Sequence, residues 1–198
     1  YPTDPSLLIP QEQNPVVSPQ LSTMYIVQSN IATGNLILNG TFELGVMGFH
    51  SEYVNNQQSI IEEGTYAVVK DAHTVHPNFF CNEDHTSGSG KFMAVNGAGV
   101  ANVEVWYLTL DNVEPKAQYE FSTWITSLHP TNPATLQFSI NGELMGEPFQ
   151  AYSSTCDWYQ FFHIWDSDTN DQATISIVNQ NTILSGNDFA LDDISFAT

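Results

Sequence analysis

The sequence predicts an all-β fold, an antiparallel β-sandwich of the jelly-roll kind with an extended N-terminal arm. Strand-like segments recur between turn residues at 35–44, 65–70, 91–96, 103–111, 117–126, 134–141, 158–165, 173–179 and 188–196. Thr135-Leu136-Gln137-Phe138-Ser139-Ile140 and Ala173-Thr174-Ile175-Ser176-Ile177-Val178 alternate polar and apolar residues, as half-buried antiparallel strands do. Asn141-Gly142 is a strong hairpin signal, because both residue types tolerate positive φ. No segment carries helical periodicity.

The chain divides at residue 34. Residues 1–20 hold five of the ten prolines, at positions 2, 5, 10, 15 and 19, which excludes helix and central strand there. Met24-Tyr25-Ile26-Val27 follows as a short β-prone run inside a candidate donor strand at 21–31. An arm that builds no core of its own must pack on something. Either it wraps its own domain, or it adds a strand to a neighbouring copy of the chain. Residues 35–198 are then the jelly-roll domain, long enough to bury one sizeable core.

The net charge of −19 comes from a scarcity of cations: 22 acids stand against Lys70, Lys91 and Lys116, with no arginine. Without guanidinium clamps the chain is unsuited to nucleic acid and to anionic membrane surfaces. No apolar run approaches the roughly 20 residues of a membrane helix, so membrane insertion is not expected. No basic, apolar leader opens the chain, which is expected to be already processed at Tyr1. The remaining surface of Asn, Gln, Ser, Thr, Asp and Glu suits divalent cations, neutral sugars and a secreted, cell-surface setting. Cys81 and Cys156 are read as a disulfide formed in an oxidising compartment, the alternative being two buried thiols.

Three separated stretches carry carboxylates into strand-rich surroundings: Asn39-Gly40-Thr41-Phe42-Glu43, Asp84-His85-Thr86 with Gly88-Ser89-Gly90-Lys91-Phe92-Met93, and Phe189-Ala190-Leu191-Asp192-Asp193-Ile194. Charges inside a strand are costly unless compensated, and convergence on one hard cation compensates them. The second and third stretches resemble the hallmark segments of extracellular MAM domains. The first is similar to the opening strand of jelly-roll carbohydrate-binding modules, and both families share a galactose-binding-like jelly roll. The resemblance implies a structural Ca2+ between the first and last strands, held by Glu43, Asp84 and one or both of Asp192 and Asp193, with carbonyls near Asn39 and Thr86 completing the shell. MAM domains commonly carry a cysteine before the first acidic motif, where this chain has Thr41.

Other chemistry finds less support. His73, His76 and His85 match no zinc spacing, no Gly-x-Ser-x-Gly elbow is present, and Asp166 to Asp171 lacks the glycine and terminal acid of an EF-hand loop. The chain is therefore expected to be non-catalytic. Trp106, Tyr107, Trp124, Trp158, Tyr159 and Trp165 are the rings a sugar-binding face would recruit, with Trp106, Trp124, Trp158 and Tyr159 the named candidates. Adjacent pairs such as Trp106-Tyr107 must place one ring on each face of a sheet. The leading expectation is a Ca2+-stabilised structural or adhesive subunit that self-assembles into a filament or surface layer through its arm. The alternative is a glycan-binding protein.

Overall fold

The structure, a computed structural model, describes residues 34–198. The donor strand expected at 21–31, with Met24, Tyr25, Ile26 and Val27, lies outside the described residues. Ten strands follow in order: β1 (Val54–Asn55), β2 (Thr65–Val69), β3 (Phe92–Asn96), β4 (Val103–Leu110), β5 (Gln118–Ser127), β6 (Thr135–Ile140), β7 (Glu143–Gln150), β8 (Tyr159–Asp166), β9 (Ala173–Asn179) and β10 (Phe189–Ala197). They form a six-stranded sheet, β1-β2-β3-β10-β5-β8, and a four-stranded sheet, β4-β9-β6-β7. Apart from the short parallel β1–β2 pair, strand pairing is antiparallel, as the alternating segments require.

The main core lies between the sheets, filled by inward residues of both. Phe121, Phe138 and Phe161 stack in sequence, with ring centroids 4.1 Å apart at each step. Trp106, Ile175, Ile177, Leu191 and Phe196 close the layer. Fully burying one such side chain contributes roughly 2 kcal/mol by area removed from water.

A second, smaller core lies on the outer face of the six-stranded sheet. Ala67, Ala94 and Ala190 stand side by side across β2, β3 and β10, which lowers that face. Segment 70–91 lies over the depression and inserts Ala72, Val75, Phe79 and Cys81. The Cys81–Cys156 disulfide, with S–S 2.06 Å, ties the segment down. The outer face of β2, β3 and β10 is therefore covered.

Two segments differ from the sequence expectation. Residues 35–44 form turns instead of a strand, because Phe42 adopts φ 55° and Gly40 lies against β10. The segment still runs beside the last strand: Leu36 N donates to Phe196 O at 3.0 Å, and Ile194 N donates to Gly40 O at 3.0 Å. The strand β7 lacked an apolar signature because it is a mostly exposed edge strand carrying Gly146 and Pro148.

Candidate functional site

Part of one outer face is covered; on the outer face of the four-stranded sheet the central side chains Gln137, Ser139, Ser176 and Val178 are buried, while Tyr107 and Leu144 toward the edges are more exposed. Strand pairing sets Tyr107, Ser176, Ser139 and Leu144 in one row across β4, β9, β6 and β7. Two short hydroxyl side chains occupy the middle and two larger ones the ends, so the row forms a trough. One wall is raised by segment 50–52. His50 and Tyr107 exchange backbone hydrogen bonds at 2.9 Å, and their rings lie 5.3 Å apart. Glu52 N donates to Glu104 O at 2.9 Å, and Glu104 N donates to Glu52 Oε2 at 2.7 Å.

A cavity of about 450 Å³ opens at the Ser139–Leu144 end of the row, lined by Glu52, Asn102, Glu104, Ser139, Leu144 and Val178, with Gly142; Tyr107 and Ser176 lie outside that lining. Its floor continues into an amide network. Gln180 Nε2 donates to Asn102 Oδ1 at 2.8 Å and to Gln137 Oε1 at 3.1 Å, and Gln137 Nε2 donates to Gly146 O at 2.6 Å. The surface thus combines carboxylate acceptors, two-way amides and hydroxyls, an aromatic ring and a short apolar side chain. Chemically it matches a ligand with both hydroxyls and C–H faces.

The three sequence motifs assemble elsewhere, at the covered face. Phe42 is fully buried and meets Phe49 edge-on, which anchors the first motif. Asn39 is buried and organises that loop: its Nδ2 donates to Gly45 O at 2.9 Å and Met47 O at 2.7 Å, and its Oδ1 accepts from Leu44 N at 3.0 Å. Any metal contact from Asn39 therefore falls to its carbonyl. Glu43 Oε1 accepts from Lys91 N at 2.6 Å. The Asp84 carboxylate accepts from Gly90 N at 2.7 Å and Ser87 N at 3.0 Å. Burial raises the Asp84 pKa, but these backbone donors from Gly90 and Ser87 outweigh it and leave the group below its ordinary value.

Glu43 and Asp84 converge at Gly90. A Cβ there would lie 2.2 Å from Glu43 Oε1 and 2.6 Å from Asp84 Oδ2, so only a glycine lets both carboxylates close on the backbone N–H groups of Gly90 and Lys91. Carboxylate oxygens are the donor type that a hard cation takes, and here they accept from backbone N–H groups.

Asp192 and Asp193 would point to opposite faces in a regular strand. A bulge between Asp192 and Ser195, with Asp193 at φ 46°, instead brings both to the His85–Thr86 loop. Asp192 Oδ2 accepts from His85 N at 2.9 Å and Thr86 N at 3.1 Å. Asp193 accepts from Thr86 Oγ1 at 2.7 Å and lies 2.6 Å from His85 Nδ1. Burial, then the neighbouring Asp193 charge, push the Asp192 carboxyl up to about 7 against the pull of backbone N–H donors from Asp193, Thr86 and His85.

The aromatic candidates separate in the same way. Trp106 is fully buried between the sheets, which corrects its assignment to a glycan face; Tyr107 takes the outer position. Trp124 is half-buried under His85, whose ring stacks on it at 3.7 Å. Trp158 is half-buried, its Nε1 donating to Glu83 O at 3.2 Å. Tyr159 is exposed beside Tyr152. Sequence reading missed His50, Glu52, Asn102 and Glu104. Alternation in β6 and β9 marked which residues share a face, yet no sequence signal said which face stays accessible.

The sequence matches no protein-family model and no curated protein. Among solved structures the chain is similar to the CBM22-1–CBM22-2 tandem of Paenibacillus barcinonensis Xyn10C, at 15% identity over 84% of this chain with TM-score 0.54. It spans 47% of that tandem's length. It is similar to TmCBM61 in complex with β-1,4-galactotriose, at 11% identity over 83% of this chain and 98% of that one, TM-score 0.54. It is also similar to a Stig cyclase from Fischerella sp. TAU, at 12% identity over 83% and 96%, TM-score 0.60. Several of these structural neighbours are carbohydrate-binding modules; at such identities the likeness establishes the fold.

Proposed function

We propose that this chain is a non-catalytic, extracellular glycan-binding module that takes a neutral β-linked oligosaccharide in the trough of the four-stranded sheet. The observation that carries this reading is the row Tyr107–Ser176–Ser139–Leu144, low in the middle and walled by His50, Glu52 and Glu104. A pyranose stacks its C–H face on Tyr107 while Asn102, Ser139 and the two carboxylates bond its hydroxyls. The carbohydrate-binding neighbours and the disulfide support the ligand class and the oxidising compartment. Polymerisation through the arm rests on residues 1–33 and takes second place to this reading.

Calcium has a structural part in the same proposal. Glu43 and Asp84 would hold it, with Asp192, Asp193 and carbonyls near Asn39 and Thr86 as the further oxygen sources. The ion would neutralise a carboxylate-rich junction and tie the first loop and segment 84–91 to β10.

The test is calorimetric titration with xylo- and galacto-oligosaccharides. Saturable binding that Tyr107→Ala weakens at least tenfold supports the trough. Absence of saturable binding to neutral oligosaccharides, or binding untouched by Tyr107→Ala, overturns it.

A further inference from the structure

A second cavity, of about 190 Å³, opens at one end of the six-stranded sheet, where the end of β3 meets the chain entering β2 and β10. Its lining includes Asp188, Glu63, His76, His129, Ile61 and Leu184. The feature that singles it out is Asp188. This residue is only 6% exposed, and its Oδ1 has no hydrogen-bond partner. A buried carboxyl oxygen left without a donor costs on the order of 1–3 kcal/mol or more, which is the kind of deficit that a ligand repairs.

The two imidazoles decide what kind of ligand. Asn78 N donates to His76 Nδ1 at 3.2 Å, and Thr131 N donates to His129 Nδ1 at 3.3 Å. With Nδ1 accepting, the neutral rings carry their proton on Nε2. Each histidine therefore offers an N–H donor and lacks the free Nε2 lone pair that a transition metal would take. Burial, and then His129, hold His76 below its ordinary pKa, which favours this neutral form. Ile61 and Leu184, at 58% and 51% exposure, add an apolar lip to the polar cavity.

An acceptor without a donor, two imidazole N–H donors and an apolar lip together describe the edge of a sugar ring, whose hydroxyls donate and accept at once. We propose that this cavity binds a single pyranose unit, free or as the end of a chain, with a hydroxyl donating to Asp188 Oδ1 and accepting from His76 or His129. The site is separate from the trough and does not rest on it, since its lining comes from the loops at the end of the other sheet.

The experiment is a titration of the full chain with free hexoses and pentoses, with their methyl glycosides and with oligosaccharides, followed by amide and imidazole NMR shifts. The expected result is a saturable shift at His76, His129 and Asp188, weakened at least tenfold by Asp188→Asn and also by His129→Ala, a half-buried position where truncation spares the core. A monosaccharide response with silent oligosaccharides assigns a free sugar, and a response to both assigns a chain end; either supports the site. No saturable shift with any sugar, or shifts unchanged in both variants, overturns it. Zn2+ shifting both imidazoles at stoichiometric concentration also overturns it. Tyr107 and Ser139 signals report the trough separately, so the two sites can fail independently.

Discussion

Replacing Asp188 with Asn should change the pH dependence of stability in a defined direction. In the folded chain, burial and then the charge of Glu63 push the Asp188 carboxyl up to about 7, against a hydrogen bond from the Gly97 backbone; its ordinary value is 3.8. The native state therefore holds this proton more tightly than the unfolded chain does. The resulting stabilisation is complete below about pH 4 and is lost progressively as pH rises to about 7. Linkage sets the full loss at about 4 kcal/mol, and water entering the cavity mouth reduces it toward about 1–2 kcal/mol. The groups facing Asp188 across the cavity are Glu63, His76 and His129. Asp192, also raised to about 7, adds a parallel loss, and Asp84, lowered, adds the opposite trend at acid pH. The difference between wild type and Asp188→Asn isolates the single group. Urea unfolding at half-unit intervals from pH 4 to pH 8 should give a variant whose relative stability climbs through this window and is level above it. A constant offset at every pH, or a relative stability that falls as pH rises, would refute the assignment.

Three further outcomes are expected. Reducing the Cys81–Cys156 bond, or substituting both residues with Ser, should cost about 4 kcal/mol, since the bridge closes a separation of 75 residues; urea midpoints with and without reductant measure it, and an unchanged midpoint contradicts the staple. Gly40→Ala should destabilise by about 2 kcal/mol or more, because its Cβ would lie 1.9 Å from the Ile194 carbonyl oxygen; native-like thermal melting would show that the loop tolerates displacement. Added Ca2+ should raise the melting temperature, by about 2.7 kcal/mol of stabilisation at a hundredfold excess over Kd, and Glu43→Gln should remove most of the gain; a melting temperature indifferent to Ca2+ and chelator rejects the structural ion.

Legibility in the sequence followed periodicity. Strands β6 and β9 alternate between core and outer face, and β4 does so from Trp106 onward, after a bulge that places Val105 and Trp106 together in the core; Tyr107 therefore faces out. The segment at 35–44 misled because its apolar residues serve turns and a single anchor, Phe42, which is local geometry that looks like strand composition. At Asp192–Asp193 the local geometry differs in a related way: a bulge replaces strict alternation and turns both carboxylates toward the His85–Thr86 loop.

By itself the sequence determined an all-β sandwich, a cation-poor surface, the cysteine pair and three acidic motifs brought near one another, because these follow from residue type, short-range spacing and the cost of burying charge. Tertiary structure decided which surfaces are available. Segment 70–91 covers the β2–β3–β10 part of one outer face and shields Trp124, while the trough and the Asp188 cavity exist only where segments distant in sequence lie side by side. Exposure of a ring and loneliness of a carboxyl oxygen are properties of what packs next to them, and packing partners separated by 52 to 161 residues leave no local mark in the chain.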